Sequence, residues 1–140
     1  GPKAGRLETL IADLPGMPDN INRASDGCYW LALVGLRTPA YDLAMEDPGF
    51  RTRMIKRIPN DEWLYPNINN GCVVKFDENG SILETLGDIG GKSHPSVTSM
   101  REERGYLYIG GLSNDRIGRV KLNGVDDSWN GPASYWGKRP

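Results

Sequence analysis

Two places in the sequence carry side chains that could do chemistry: an Asp-Asn pair and the only histidine. The imidazole of His94 could transfer protons near neutral pH, although a loop histidine without a role is the plainer interpretation. Asp19 and Asn20 follow Pro18 at the start of a predicted strand. Taken alone, these three residues are typical of a turn in which the Asp19 side chain accepts hydrogen bonds from backbone amides.

Short alternating or apolar runs separated by turn signals predict eight β-strands. The clearest are the apolar run that begins at Cys28 (CYWLALV) and the hairpin around Asn79-Gly80, whose two turn residues tolerate positive φ. The predicted strands cover residues 7–14, 20–24, 28–34, 72–76, 81–86, 96–101, 106–112 and 116–122. Segments 20–34 and 97–112 share one pattern: a short strand, a turn ending in glycine and an aromatic strand. Repeated four-stranded antiparallel units are typical of propeller blades, and a β-sandwich or a meander remains the alternative.

The predicted fold class is therefore all-β: a partial β-propeller of about two four-stranded antiparallel blades with a short helical insertion. The strand order indicates one outer strand, then a full blade of four, then three strands of the next blade. Residues 1–122 are expected to form the blades, with the insertion at 38–58. Residues 123–140, with Tyr135 and Trp136 among glycines and prolines, are expected to form an irregular C-terminal tail that needs a surface to lie on.

The insertion at 38–58 mixes apolar and basic residues. A Pro-Gly pair in its middle prevents one continuous helix, so two short helical turns are predicted. Phe50, Met54 and Ile58 recur every four residues and give the second turn an apolar stripe beside a basic face. A loop insertion packed on the blade explains this pattern, and a lid over a pocket or a membrane-surface helix remain alternatives.

Composition and cysteine spacing limit the possible partners and bonds. The chain has 140 residues, 17 basic and 18 acidic, and a net charge of −1, which gives no sign of a nucleic-acid partner. No apolar run approaches the roughly 20 residues of a membrane span, and the first residues lack the apolar core of a signal peptide, so a soluble segment is expected. Cys28 and Cys72 open two strands expected to be antiparallel neighbours, which puts them at opposite ends of the pair as reduced thiols.

Several motifs in order resemble the strictosidine-synthase-like family. They are the segments at 14–21 (LPGMPDNI) and 26–33 (DGCYWLAL), the segment at 101–110 (REERGYLYIG), and MIKR at 54–57 in the insertion. The resemblance spans roughly residues 6–122 and matches the C-terminal part of the family's domain. It implies a six-bladed propeller with the architecture of paraoxonases and gluconolactonases, an architecture that hosts several chemistries.

In this resemblance Asp19 and Asn20 fall on the positions that bind the catalytic calcium in paraoxonases, and gluconolactonase-like relatives keep the Asp. A hard divalent cation takes oxygen ligands, and both side chains supply them. In a hydrolase such a cation polarises a carbonyl and stabilises the developing oxyanion. The resemblance therefore implies calcium as the cofactor, with the other ligands on further blades.

The resemblance also predicts what the chain does not do. Strictosidine synthase carries a catalytic glutamate just before a Gly-Leu-Tyr-like turn, and aligning GYLY at 105–108 with that turn puts Thr98 at the glutamate position. Threonine cannot act as the general base for an amine–aldehyde condensation at neutral pH, so strictosidine formation is not expected.

The expected parent activity is metal-assisted hydrolysis of a small-molecule ester or lactone. Asp19 and Asn20 are the predicted metal ligands, and His94 is the candidate catalytic residue. The alternative is a non-catalytic propeller module that binds proteins or small molecules. Blade topology predicts that the insertion shares one face with these three residues, because the starts of inner strands and the connections from second to third strands lie at the same end.

Two blades cannot close a ring, and an open blade leaves unpaired backbone groups at its edge. The predicted strand 7–14 lacks its blade, and the predicted blade ending at 116–122 lacks its outer strand. The first could complete the last from a neighbouring copy or from the remainder of a longer chain, and three copies would give six blades. A homo-oligomer or that remainder is therefore the expected partner.

Overall fold

The computed structural model describes residues 4–59, 62 and 69–131. They form two antiparallel sheets in which neighbouring strands follow one another along the chain, as in propeller blades. The first sheet is β1 (Gly16–Arg23), β2 (Tyr29–Leu36), β3 (Gly71–Phe76) and β4 (Ile82–Asp88). The second sheet is β5 (Val97–Glu103), β6 (Tyr106–Gly111) and β7 (Gly118–Lys121). The predicted all-β partial propeller is confirmed, with a short helical insertion of α1 (Pro39–Glu46) and α2 (Pro48–Arg57) between β2 and β3.

The predicted strand at 7–14 was wrong. That segment has no regular secondary structure, and Asp13 adopts a left-handed φ of 51°, which interrupts an extended run. Leu7 is fully exposed, whereas Ile11 and Leu14 pack against one face of the first sheet. The segment therefore covers a sheet face instead of pairing at an edge, and the second sheet has three strands among the described residues. The expected exchange of this strand between copies loses its basis.

Two apolar clusters hold the sheets. The larger lies between them, and its members include Trp30 and Ala32 of β2 and Leu107 and Ile109 of β6. The other lies on the opposite face of the first sheet and consists of Leu31, Leu33, Cys72, Val74 and Phe76. Successive residues of β2 alternate between these clusters, as strand geometry requires. Burial of both faces explains why this strand is apolar without alternation.

Capping residues set where the two helices of the insertion begin and end. Thr38 caps α1, with its hydroxyl accepting from the backbone N–H of Tyr41 at 3.2 Å. Asp47 ends α1 and begins α2: its N–H donates to Leu43 O at 2.9 Å, and its carboxylate accepts from Phe50 N–H at 3.0 Å. That second bond lowers the pKa of Asp47 below its ordinary value. The expected pair of short helical turns is confirmed.

The predicted apolar stripe of α2 is not a buried face. Phe50, Met54 and Ile58 are each half-buried, and no residue of α2 is fully buried. No helix in the described part of the chain is long and apolar enough to cross a membrane.

Both cysteines are free, as expected. Cys72 pairs with Leu33 at one end of the β2–β3 pair, while Cys28 directly precedes Tyr29, whose partner Phe76 lies at the other end. Burial raises the pKa of the Cys72 thiol, so this group stays protonated and packs as an apolar side chain.

After β7 the chain turns back to the hairpin between β5 and β6. The Arg104 N–H donates to Trp129 O at 2.8 Å, and Lys121 lies 3.3 Å from Asp127. The part of the predicted tail up to residue 131 therefore lies on the second sheet, while Tyr135 and Trp136 fall outside the described residues.

Candidate functional site

Asp19 and Asn20 form a β-bulge in the first strand. The register of β1 against β2 shifts between Pro18 and Ile21, so both residues lie opposite Ala32 alone. A bulge bends its strand and redirects the side chains of the extra residues, and bulges are common beside active sites. The predicted Asp-Asn turn is therefore an irregular point inside a strand.

The first strand of the second sheet has a matching irregularity. The register of β5 against β6 shifts between Val97 and Ser99, which leaves Thr98 as the extra residue. The two bulges meet, because Asn20 Nδ2 donates to Thr98 O at 2.8 Å. The residue aligned with the catalytic glutamate of strictosidine synthase thus lies directly beside the predicted metal pair.

The hydrogen bonds of Asn20 define which oxygens are available. Its Nδ2 also donates to Asp19 Oδ1 at 2.9 Å. These two acceptors fix the amide orientation, because exchanging its nitrogen and oxygen would place oxygen against oxygen. Within the described residues, Asn20 Oδ1 and Asp19 Oδ2 accept no hydrogen bond, and both residues are exposed. The pair therefore presents two uncommitted oxygens.

Asn22 repeats this contact two residues further along β1. Its Nδ2 donates to Met100 O at 2.7 Å, so Asn20 and Asn22 contact alternate carbonyls of β5. The two first strands are joined by side-chain amides instead of a backbone ladder. Sequence reasoning passed over Asn22, although the alternation of Asn20 and Asn22 along a strand was a usable signal.

A buried carboxylate joins the sheets at the other end. Glu102 is 1% exposed and accepts hydrogen bonds from Trp30 Nε1 at 2.7 Å, from Ser25 N at 3.2 Å and from the Ser25 hydroxyl. All three donors belong to the first sheet or its β1–β2 turn, whereas Glu102 belongs to β5. Sequence patterns did not predict this role of Glu102, although a buried tryptophan needs an acceptor for its N–H.

Lys75 and Asp26 form a second polar contact at this end of the first sheet. Lys75 Nζ lies 2.7 Å from Asp26 Oδ2 and 5.2 Å from the centre of the Trp30 ring. Burial works to raise the pKa of Asp26, but hydrogen bonds from Lys75 and from the Cys28 N–H outweigh it, and the pKa is lowered. The charged carboxylate is therefore the form that the fold favours.

This shift predicts acid sensitivity of known sign. A carboxyl with a lowered folded-state pKa contributes stability that is present above its unfolded pKa, ordinarily 3.8, and is lost as pH falls through the folded value. The urea midpoint of the wild type should therefore fall more steeply below about pH 4 than that of Asp26→Asn. Asp127→Asn, which removes an exposed ion pair with Lys121, is the control and should follow the wild type. Parallel curves for Asp26→Asn and the wild type would contradict the assignment.

A cavity of about 340 Å³ lies between the start of β1 and α1. Pro18, which precedes the Asp-Asn bulge, lines it together with Tyr41 and Met45 of α1. Arg37 and Asp42 also line it and form an ion pair, with 3.0 Å between Arg37 Nε and Asp42 Oδ1. The insertion and the bulge therefore meet at the same end of the first sheet, in the arrangement that blade topology predicted.

His94 lies at that end too, but in different surroundings. Its carbonyl oxygen approaches the Cα of Gly71, and its ring lies against Gly118, at the starts of the third strands of the two sheets. Asn20, by contrast, contacts the first strand β5. The structure brings Asp19 and Asn20 to Thr98 and places His94 between the sheets, with no contact to the pair. Within the described residues, no three His, Cys, Asp or Glu side chains gather into a metal-binding group.

The chain has clear relatives. It is 32% identical over 126 residues to the adipocyte plasma membrane-associated protein of Gallus gallus, a match covering 86% of this chain and 30% of that protein. It is 32% identical over 116 residues to strictosidine synthase-like protein 10 of Arabidopsis thaliana, covering 80% of this chain and 31% of that protein. It is 36% identical over 96 residues to strictosidine synthase-like protein 13 of the same plant, covering 66% of this chain and 23% of that protein.

The chain spans about a third of the length of the first two curated relatives. No protein-family model matches it, and no solved structure matches it. Its similarity to these proteins runs through most of the chain and agrees with the antiparallel sheets that the structure shows. The chain therefore belongs to the strictosidine-synthase-like family.

Proposed function

We propose that this chain supplies part of a calcium site in a propeller that hydrolyses small-molecule esters or lactones. The observation that carries the proposal is the pair of uncommitted oxygens, Asp19 Oδ2 and Asn20 Oδ1, on a bulge held by Thr98 O. One is a carboxylate oxygen and the other an amide oxygen, the hard donors that calcium prefers.

The fit to calcium is good but incomplete within this chain. Calcium takes about six to eight oxygens, and the pair offers two. Further ligands would come from water, substrate or other blades of the propeller. When bound, the cation would supply Lewis-acid polarisation of the substrate carbonyl.

The residues around the pair have separable roles in this proposal. Thr98 O holds the nitrogen of Asn20 and so keeps the amide oxygen turned outward. The cavity beside Pro18 gives the organic part of a substrate a wall formed by Tyr41 and Met45. Thr98 has no side chain able to take a proton at neutral pH, so amine–aldehyde condensation is not proposed.

Calcium should stabilise the folded chain through this pair. A ligand that binds only the folded state adds about 2.7 kcal/mol at a hundredfold excess over its dissociation constant, so the melting temperature should rise with calcium. Asp19→Asn, which keeps the side-chain shape and removes the charge, should abolish most of that rise. Glu84→Gln on the exposed outer strand is the matched control and should keep it. An equal response in both variants would refute the site.

Hydrolysis is a separate question from binding. Phenyl acetate and a small lactone, offered to the protein with calcium, distinguish the hydrolase from a non-catalytic module. Turnover that needs calcium and disappears in Asp19→Asn would support the hydrolase. Calcium-dependent stabilisation without turnover would favour the binding module.

A further inference from the structure

A second cavity, of about 180 Å³, lies between the two sheets and away from the Asp-Asn bulge. Its walls are mainly apolar and come from both sheets, with Val73 and Leu86 on one side and Val97, Ile109 and Val120 on the other. A cavity of about 150 Å³ lined by apolar side chains is large enough to bind benzene. The space between the sheets therefore accommodates one six-membered ring.

One residue in the wall of this cavity carries a polar atom without a partner. His94 lines it, and His94 Nε2 is buried without a hydrogen-bond partner among the described residues. Leaving such an atom unpaired costs free energy, which a ligand that reaches it can recover. Neutral imidazole offers either a donor or an acceptor at Nε2, and a hydroxyl group can satisfy both.

The surroundings hold the His94 backbone and ring in place. The His94 N–H donates to Asp88 Oδ2 at 2.6 Å, and the Ser93 N–H donates to the same oxygen at 2.7 Å. On the other side the ring lies against Gly118, where an added Cβ would be 3.3 Å from Nδ1. The loop is thus tied to the end of β4, and the missing side chain of Gly118 leaves room for the ring.

We infer that this cavity binds a small phenolic compound, with the ring between the two sheets and the hydroxyl on His94 Nε2. The apolar walls recognise the ring, and the single unpaired nitrogen selects for one hydroxyl group. This site is separate from the calcium pair, because neither Asp19 nor Asn20 lines the cavity.

Phenol and benzene are the probes, added to the whole chain carrying ¹³C-labelled methyl groups. Phenol should shift the methyl signals of Val73, Val97, Ile109 and Val120 in a saturable way. The wild type should prefer phenol over benzene by about five- to tenfold, the worth of one net hydrogen bond. Absence of these shifts would overturn the inference and leave an ordered water as the partner of Nε2.

His94→Phe removes the nitrogen and keeps a ring of similar shape, so the preference for phenol should fall to about one while benzene still binds. His94→Gln keeps a hydrogen-bonding group and should retain part of the preference. Val120→Phe, on the half-exposed third strand, should weaken both ligands by filling the cavity. An unchanged preference in His94→Phe would also overturn the inference.

Discussion

Replacing Glu102 with alanine should lower the free energy of unfolding by about 3 kcal/mol, the cost of leaving buried donors without an acceptor. The carboxylate receives the Trp30 Nε1–H at 2.7 Å and both donors of Ser25. Alanine reaches none of them, and Trp30 is completely buried, so its N–H loses its acceptor in the fold. Urea denaturation monitored by tryptophan fluorescence measures the change.

The neighbouring residue provides the control. Glu103 faces away from the first sheet and forms an ion pair with Arg101 at 3.3 Å, with about half of the Arg101 side chain exposed. Glu103→Ala should cost less than about 1 kcal/mol, as exposed ion pairs do. Similar losses for both variants would show that the buried acceptor is not what joins the sheets.

Replacing Gly71 with alanine should destabilise the fold by about 1–3 kcal/mol through overpacking. A Cβ at Gly71 would collide with the carbonyl oxygen of His94 and lie 3.3 Å from Val97 Cγ2. The loop that holds His94 would therefore move away from β3, and the first residue of β5 would move with it. A lowered urea midpoint, with altered amide signals in that loop, is the expected result.

Gly87 tests whether the crowding is specific. It lies on the adjacent strand β4, and the nearest atom to an added Cβ is Gly71 O at 3.9 Å. Gly87→Ala should change stability by less than about 0.5 kcal/mol, because the new methyl group enters open space. A loss as large as that of Gly71→Ala would mean that glycine is needed for backbone reasons throughout this sheet.

Local patterns predicted most of the fold. The apolar run before Leu36 identified β2, because a strand buried on both faces is apolar throughout. The Asn79-Gly80 turn identified the β3–β4 hairpin, because glycine is favoured where the backbone needs a positive φ. The Pro48-Gly49 pair identified the break between the two helices, because proline lacks the N–H that one continuous helix would need there. Such signals are local, so they survive without knowledge of the tertiary structure.

The error at 7–14 has the opposite origin. Its alternation suits a strand, but a strand also requires a free edge to pair with, and sequence periodicity says nothing about edges. Ile11 and Leu14 instead pack against one face of the first sheet. The same gap explains the site: the contact of Asn20 with Thr98 joins residues 78 apart, and no local pattern reveals it.

His94 shows a further limit. Blade topology placed His94 at the correct end of the sheets. It did not predict which strands His94 contacts, and these are β3 and β7. Gly71 and Gly118 allow His94 to approach these third strands closely, because neither glycine has a side chain that would collide with it. Glycines on two separate strands carry no sequence signal of a shared neighbour.

Asp47 is the joint of the insertion, because this one residue both ends α1 and begins α2. Its backbone N–H donates to Leu43 O at the end of α1, and its side chain accepts from the Phe50 N–H at the start of α2. Arg51 of α2 also donates to Ala44 O of α1, at 2.9 Å. One extra residue at this joint would turn α2 by about 100° and carry Arg51 away from its acceptor. An insertion or deletion at Asp47 should therefore weaken both helices at once, because the angle between α1 and α2 depends on the contacts of this one residue.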